Sequence, residues 1–419
     1  MQPSAAANRM PRADSLTGLR WWAAFGVFAF HMEVFAPLPI STVLQFGNFG
    51  VTFFFVLSGF VLTWSWSPAT GARTFWWRRF ARIYPPHLVA LLIALPVFYA
   101  VAPDPAQWWV KPLGPVVLLS VVLLQGWSRD PAILFSGNPA AWTLTCEAFF
   151  YAMHPFLQRA LNPFRVRGAL VAATGVVGLA LAYRVATVAS PGSWWAAGMP
   201  WPVVRITEFA LGMCLAWAVR QGWRPRLPPW VGYLLAALFL TWLSATVLLG
   251  PVPGPLSSYA IGSANELATV VCAVLIVLVA SRDLRGGRSL LRSRPLVVLG
   301  EWSYSFYLVH ATVVYALLTW FGPSAPSWRN LLWYLLAFVI GLVAAAALHL
   351  AVERPAERRM RRWWDVRRSR RAGVAAEVLP DDATTSPGAG SALGGAPDAG
   401  RMPSSAFMDR SEGGPERSS

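Results

Sequence analysis

Arg20 and His31 interrupt the otherwise apolar run LRWWAAFGVFAFHMEVF. Their interval of eleven residues is just over three helical turns at about 100° per residue, so both side chains project from one stripe, roughly 16 Å apart along the axis. One helix thus presents a cation and a base together. Ionisable groups at membrane depth are costly unless they face a protein interior or a wet cavity, which makes this pair a candidate functional site. The competing reading has Arg20 snorkelling to the headgroups and His31 bonding a neighbouring helix. Glu33, nearer the segment end, reaches the interface more easily.

Five other segments carry groups of chemical interest. In RTFWWRRFARIYPP, Arg79 and Arg82 are about one turn apart and share a face, flanked by Arg78. Trp76, Trp77, Phe80 and Tyr84 would seat this stretch at the inner interface. That leaves paired guanidinium forks of the kind that suit phosphate, or an ordinary positively charged anchor. Glu147, in AAWTLTCEAFFYAMHP, is a carboxylate inside an apolar span that needs a partner or a proton. It could orient a histidine, pair with an arginine or hold a helix in register. His154, two turns further on, reads as a polar contact outside the site. EWSYSFYLVHATVVY places Ser303, Tyr307 and His310 at spacings of four and three, a second polar stripe with Tyr304 beside it. His349 has no comparable neighbours and reads as packing. Arg205 and Glu208, three apart in RITEFALGM, read as an internal ion pair, and Glu266 as similar. In GNFGVTFFFVLSGF, Gly47, Gly50, Gly59 and Ser58 read as residues that let helices approach closely.

The elements that must position these groups are membrane helices. With 56% hydrophobic and 13% charged residues in 419, the chain is expected to be an all-α, polytopic integral membrane bundle. Spans are expected near 16–36, 47–66, 84–101, 142–160, 169–189, 203–219, 230–250, 264–281, 296–318 and 330–352, about ten in all. The apolar stretch 113–125 is short and fits a re-entrant or tilted segment. Arg clusters fall in alternate loops, which the positive-inside rule assigns to the cytoplasm. Ten crossings then put both termini inside a bacterial cytoplasmic membrane. The net charge of +16 is explained by inner-face anchoring and calls for no nucleic acid, though it would also suit an anionic cosubstrate. Cys146, Cys214 and Cys272 lie within spans and read as small core residues, with no metal site expected. No cleavable signal is expected before the first helix. The organisation is a short N-terminus (1–15), a membrane domain (16–355), a basic juxtamembrane segment (356–371) and a disordered tail (372–419) rich in Gly, Ala, Ser and Pro.

Taken in order, these segments resemble the membrane acyltransferase-3 family, which includes bacterial O-antigen and peptidoglycan O-acetyltransferases. The resemblance runs over about 16–355. It rests on Arg20 with ten residues before His31, GNFGVTFFFVLSGF, the Arg79 and Arg82 pair in RRFARIYP, WTLTCEAFFY, RITEFALGM and WSYSFYLVH. One departure is Thr52, where many relatives have the acid of a Gly-Val-Asp triplet. A hydrolase-like domain fused to some relatives is also lacking. The resemblance implies transfer of an acyl group, expected to be acetyl, from cytoplasmic acyl-CoA to a hydroxyl of a carbohydrate or glycosylated acceptor, with acyl-CoA (acetyl-CoA) a cosubstrate and no tightly bound cofactor. His31 would then be the general base and Arg20 would steady an anionic group. Arg79 and Arg82 would hold CoA phosphates, while Glu147, Ser303, Tyr307 and His310 would organise the cavity. The rival is a transporter or flippase of an anionic or glycosylated substrate, which needs a charged membrane cavity equally.

Overall fold

The computed structural model describes residues 13–250 and 254–377. Ten long helices form where apolar segments were expected. They are α1 (Asp14–Met32), α2 (Phe49–Trp64), α3 (Ala72–Phe98), α4 (Trp142–Leu161), α5 (Val166–Ala189), α6 (Trp201–Arg220), α7 (Pro229–Leu249), α8 (Ala264–Leu284), α9 (Arg294–Phe321) and α10 (Leu331–Leu348). A π-helical turn, His349–Glu353, joins α10 to α11 (Arg354–Glu377). Eight helical stretches among the described residues are long and apolar enough to cross a membrane. The expected figure was ten. The two helices outside the eight are α1 and α4, which carry Arg20 and His31, and Glu147, respectively. Placing site residues in a helix lowers its hydropathy, so apolarity alone does not count these two.

Three boundaries differ from the sequence reading. The third span, expected to begin at 84, begins twelve residues earlier, because the basic segment is helical and continues through Pro85 and Pro86 into the apolar run. Arg79 and Arg82 therefore belong to the helix itself and not to a loop before it. Within 113–125 only Val117–Val121 is α-helical, a five-residue turn far too short to span a bilayer. It sits in a folded connection that includes a two-residue parallel β pairing, Tyr99–Ala100 with Lys111–Pro112. The basic juxtamembrane segment is helical, and α11 runs to Glu377, past the start of the expected tail at 372. The rest of that tail, and the first twelve residues, lie outside the described residues. By its internal contacts the chain forms two units, Met1–Arg367 and Arg368–Ser419.

Within the first unit, small residues decide which helices touch. A Cβ added at Gly59 of α2 would lie 1.9 Å from the Phe209 carbonyl oxygen of α6, and one at Gly212 would lie 2.0 Å from that of Val56. The two helices pack backbone to backbone, and Gly47 and Gly50 approach α1 in the same way. Gly300 of α9 would place a Cβ 1.9 Å from the Thr17 carbonyl, so α9 packs equally closely on α1. Most of α6 and α9 is buried, whereas α5 and α7 bury few residues and form the periphery. Gly59→Ala is expected to force α2 from α6 and lower stability by about 1–3 kcal/mol, the usual cost of overpacking. Gly175→Ala in α5, with nothing within 4 Å, should be silent. Thermal unfolding of the detergent-solubilised protein distinguishes the two.

Candidate active site

A cavity of about 110 Å³ opens between α1, α2, α3, α4 and α9. Its polar wall consists of Arg20 from α1, Ser58 from α2, Arg79 and Arg82 from α3, Thr143, Glu147 and Tyr151 from α4, and Ser303, Tyr304 and Tyr307 from α9. Phe54, Phe55, Leu57, Val61 and Leu62 make the apolar side. Three guanidiniums thus face a single carboxylate, leaving an excess of positive charge. Arg79 and Arg82 are half-buried, directed into this cavity instead of out to the cytosol. Ser58, read from sequence as packing, lines the cavity too.

Hydrogen bonds fix several of these groups. The Tyr151 hydroxyl donates to Glu147 Oε1, one turn away on the same helix. Glu147 is therefore held by a phenol, an option the sequence reading did not include, and it shares the cavity wall with Arg20 and Arg82. The Tyr304 hydroxyl donates to the Ile83 carbonyl at 2.8 Å, tying α9 to α3 between the two polar walls. Ser303 Oγ donates to its own helix at the Gly300 carbonyl, 2.8 Å away. At the far end, the Tyr307 hydroxyl lies 3.0 Å from Thr143 Oγ1 and 3.3 Å from the Ala140 carbonyl. Asn138 seats that end of the connection on α9 by donating from Nδ2 to the Leu308 carbonyl at 2.7 Å, while its Oδ1 accepts from the Ala140 N–H at 3.1 Å.

His31 and His310 do not line this cavity. They form a pair just past Tyr307, with His310 Nε2 3.3 Å from His31 Nδ1 and ring centroids 4.9 Å apart. The His310 ring is 5.5 Å from that of Tyr307. The sequence spacing placed Arg20 and His31 on one stripe of α1. The tertiary structure divides that stripe between two compartments, with Arg20 in the cavity and His31 about three turns on, where α9 brings His310 against it. The tautomers follow from the partners. His31 Nδ1 lies 2.9 Å from the Val27 carbonyl and His310 Nδ1 lies 2.7 Å from the Tyr307 carbonyl. Carbonyls only accept, so both Nδ1 atoms carry protons and both Nε2 atoms carry lone pairs when the rings are neutral. His310 Nε2 then accepts from His31 Nδ1–H. His31 Nε2, which makes no hydrogen bond among the described residues, is left as a basic nitrogen.

The remaining polar groups fall outside the cavity. The Arg205 and Glu208 ion pair forms as expected, at 2.8 Å, and is larger than the sequence showed. Asn265 of α8 accepts from Arg205 Nη1 and donates to Glu208, each at 2.8 Å, and Arg205 Nη2 donates to Thr52 Oγ1 at 3.0 Å. Glu266 pairs across helices with Arg184 of α5 at 3.3 Å. His154 is buried, 3.5 Å from Thr63 and stacked on Phe75, in keeping with a polar contact. His349 corrects the sequence reading, since its Nδ1 lies 2.9 Å from Glu353 Oε2 in a buried pair. The residues that sequence reasoning missed are Tyr151, Thr143 and Glu353. Tyr151 and Thr143 were legible as the residues four after and four before Glu147, while Glu353 is joined to Ser305 only by tertiary packing. The chain's one lysine, Lys111, donates to the Ala132 and Phe135 carbonyls in the connection before α4. Desolvation there draws its pKa below the usual value, partly offset by Asp130.

A helical bundle with a cationic cavity and a half-buried basic imidazole next to it fits a membrane enzyme more readily than a structural protein. The sequence profile of the acyltransferase-3 family, described as an acyltransferase domain, matches residues 14–350, and the chain belongs to that family. It is an acyltransferase. Its relatives include Acyltransferase MdmB of Streptomyces mycarofaciens, 36% identical over 90% of this chain and 97% of that protein. Nodulation protein 10 of Rhizobium leguminosarum bv. viciae is 27% identical over 75% of this chain and 83% of its own length. Putative peptidoglycan O-acetyltransferase YrhL of Bacillus subtilis is 27% identical over 71% of this chain and 48% of its own. No solved structure matches the chain.

Proposed function

We propose that the enzyme moves an acyl group, acetyl in the first instance, from acyl-CoA to a hydroxyl of a carbohydrate or glycosylated acceptor. The observation that carries this reading is the cavity lined by Arg79, Arg82, Arg20 and Glu147, with the histidine pair lying next to Tyr307 of its wall. The Arg clusters assign the Arg79 end to the cytoplasmic side by the positive-inside rule, with both termini on that side. CoA phosphates would be held there by guanidinium forks, and the thioester arm would run along the cavity toward Tyr307. Along α9, Ser303 and His310 are about 10 Å apart in axial rise, a span suited to an extended arm. His31 Nε2 would take the proton of the acceptor hydroxyl as its oxygen attacks the thioester carbonyl, and CoA would leave as the thiol after that proton is returned. Donation from Nδ1–H to the Val27 carbonyl and to His310 Nε2 would stabilise the imidazolium between these steps. Arg20, on the cavity wall with the Arg79 and Arg82 pair, would steady negative charge on the donor. The peptidoglycan acceptor in one relative's name supports a sugar hydroxyl as the target class.

The test is release of free CoA from acetyl-CoA by purified protein offered a panel of sugar, glycolipid and glycosylated small-molecule acceptors. Acceptor-dependent release is expected. No release with any acceptor, together with movement of a solute across proteoliposomes, would overturn the reading in favour of transport. Within this assay, Arg79→Ala and Arg82→Ala are each expected to raise KM for acetyl-CoA about tenfold, the loss of one charge-assisted phosphate contact, with a smaller change in kcat. Arg82→Lys should recover only part of that, because an ammonium keeps the charge but not the fork.

A further inference from the structure

Glu353 lies at the end of the π-helical turn, His349–Glu353, and its side chain is only 5% exposed. π turns are rare and occur mostly where a helix is locally re-aimed for function. Here the turn directs a carboxylate inward, where its Oε2 accepts from Ser305 Oγ at 2.7 Å and from His349 Nδ1 at 2.9 Å. A buried carboxylate with two donors on one oxygen is fixed in place and remains charged. The same turn packs on α3, the helix that carries Arg79 and Arg82. Contacts continue along α11: Trp77 Nε1 donates to the Met360 carbonyl at 2.9 Å, and Trp364 Nε1 donates to Thr74 Oγ1 at 3.1 Å. The cavity's two paired guanidiniums are thus supported from behind by the turn and the helix that follows it. Glu353 makes no contact ion pair with Arg82 among the described residues, but the antiparallel contacts of Trp77 with Met360 and of Thr74 with Trp364 set it about level with Arg82 along α3.

We infer that Glu353, clamped by Ser305 and His349, is a positioning residue that holds the Arg82 guanidinium ready for the phosphates of the donor. The inference rests on the reading of the cavity as the acyl-CoA site. A preset guanidinium loses less side-chain freedom on binding, so the phosphate contact contributes more to affinity. Two effects of Glu353→Gln have opposite signs. Simple loss of a negative charge near an anion site would tighten CoA binding, whereas loss of positioning would weaken it.

The experiment is calorimetric binding of CoA and of pantetheine, which lacks the phosphates, to the full-length protein in detergent. Glu353→Gln is expected to weaken CoA about tenfold and leave pantetheine unchanged. Ser305→Ala, which loosens the clamp but keeps the charge, should give a smaller loss in the same direction and serves if Glu353→Gln does not fold. In an Arg82→Ala background Glu353→Gln should have no further effect on CoA. Arg184→Gln, which breaks an ion pair on the far side of the bundle, should leave both ligands unaffected. Unchanged or tighter CoA binding in Glu353→Gln, or an equal loss for pantetheine, would overturn the positioning role. If Arg82→Ala itself binds CoA like wild type, it is the donor-site reading that fails, and the inference fails with it.

Discussion

His31→Ala is expected to lower acyl transfer by about a thousandfold, within the range for loss of a general base, while leaving expression and CoA binding near wild type. The geometry explains the size of the effect. His31 Nε2 is the unengaged basic nitrogen of the pair, and its Nδ1 is committed to the Val27 carbonyl and His310. Neither contact is needed to hold the helix, since α1 is anchored on α9 by the close approach of Gly300 to Thr17 and by the packing of Phe28 on Phe306. The donor phosphates would be held at the other end of the cavity, so substrate affinity should survive the substitution. His310→Ala should give an intermediate loss. It removes the acceptor that favours a protonated His31 but leaves the base in place and still oriented by Val27. The measurement is kcat for CoA release with a productive acceptor, alongside CoA binding by calorimetry. Turnover in His31→Ala within tenfold of wild type would remove that residue from the chemistry. An equal collapse in His310→Ala would show that the two imidazoles act as one unit.

The largest expected effect on stability is at Arg205. Its guanidinium is 10% exposed and joins Glu208, Asn265 and Thr52, thereby tying α2, α6 and α8 together. Arg205→Met would leave the Glu208 carboxylate buried with only the Asn265 amide as a partner. Breaking a buried pair from one side costs about 3–5 kcal/mol, enough to abolish folding of many domains. Replacing both partners, Arg205→Met with Glu208→Leu, should recover most of the loss, because no charge is then stranded. Fluorescence-detected gel filtration after a heat step reads both outcomes. A single variant as stable as wild type would mean that the pair contributes nothing net. The departure at Thr52 fits this cluster. Its hydroxyl accepts from Arg205, and the charge opposite Arg205 is supplied by Glu208.

How much of this was legible beforehand depends on the range of the interaction. Apolar run lengths located the ten long helices, since a bilayer-spanning helix needs about twenty apolar residues and satisfies its own backbone. Spacings along single helices predicted the Arg205 and Glu208 pair and the shared face of Arg79 and Arg82. They also picked out Arg20, Glu147, Ser303 and Tyr307 of the candidate site, though not Thr143 and Tyr151 on the stripe of Glu147. Helical periodicity carries this information because neighbours three and four apart meet whatever surrounds them. It also misled at one boundary, where a basic, proline-containing segment read as a loop and is the first half of α3.

What only the tertiary structure decided is which stripes meet. Sequence placed Arg20 and His31 together, but the packing of α9 on α1 puts Arg20 into a cavity with Glu147, Arg79 and Arg82 and pairs His31 with His310 beyond Tyr307. Backbone contacts at Gly59, Gly212 and Gly300 set those helix separations, and a sequence shows a glycine without showing what it lies against. Glu353 is the extreme case. Its partners are 4 residues away at His349 and 48 away at Ser305. It lies at the end of a π-helical turn, which no periodicity announces. Local spacing thus determined the inventory of charged and basic groups, and long-range close packing decided their company.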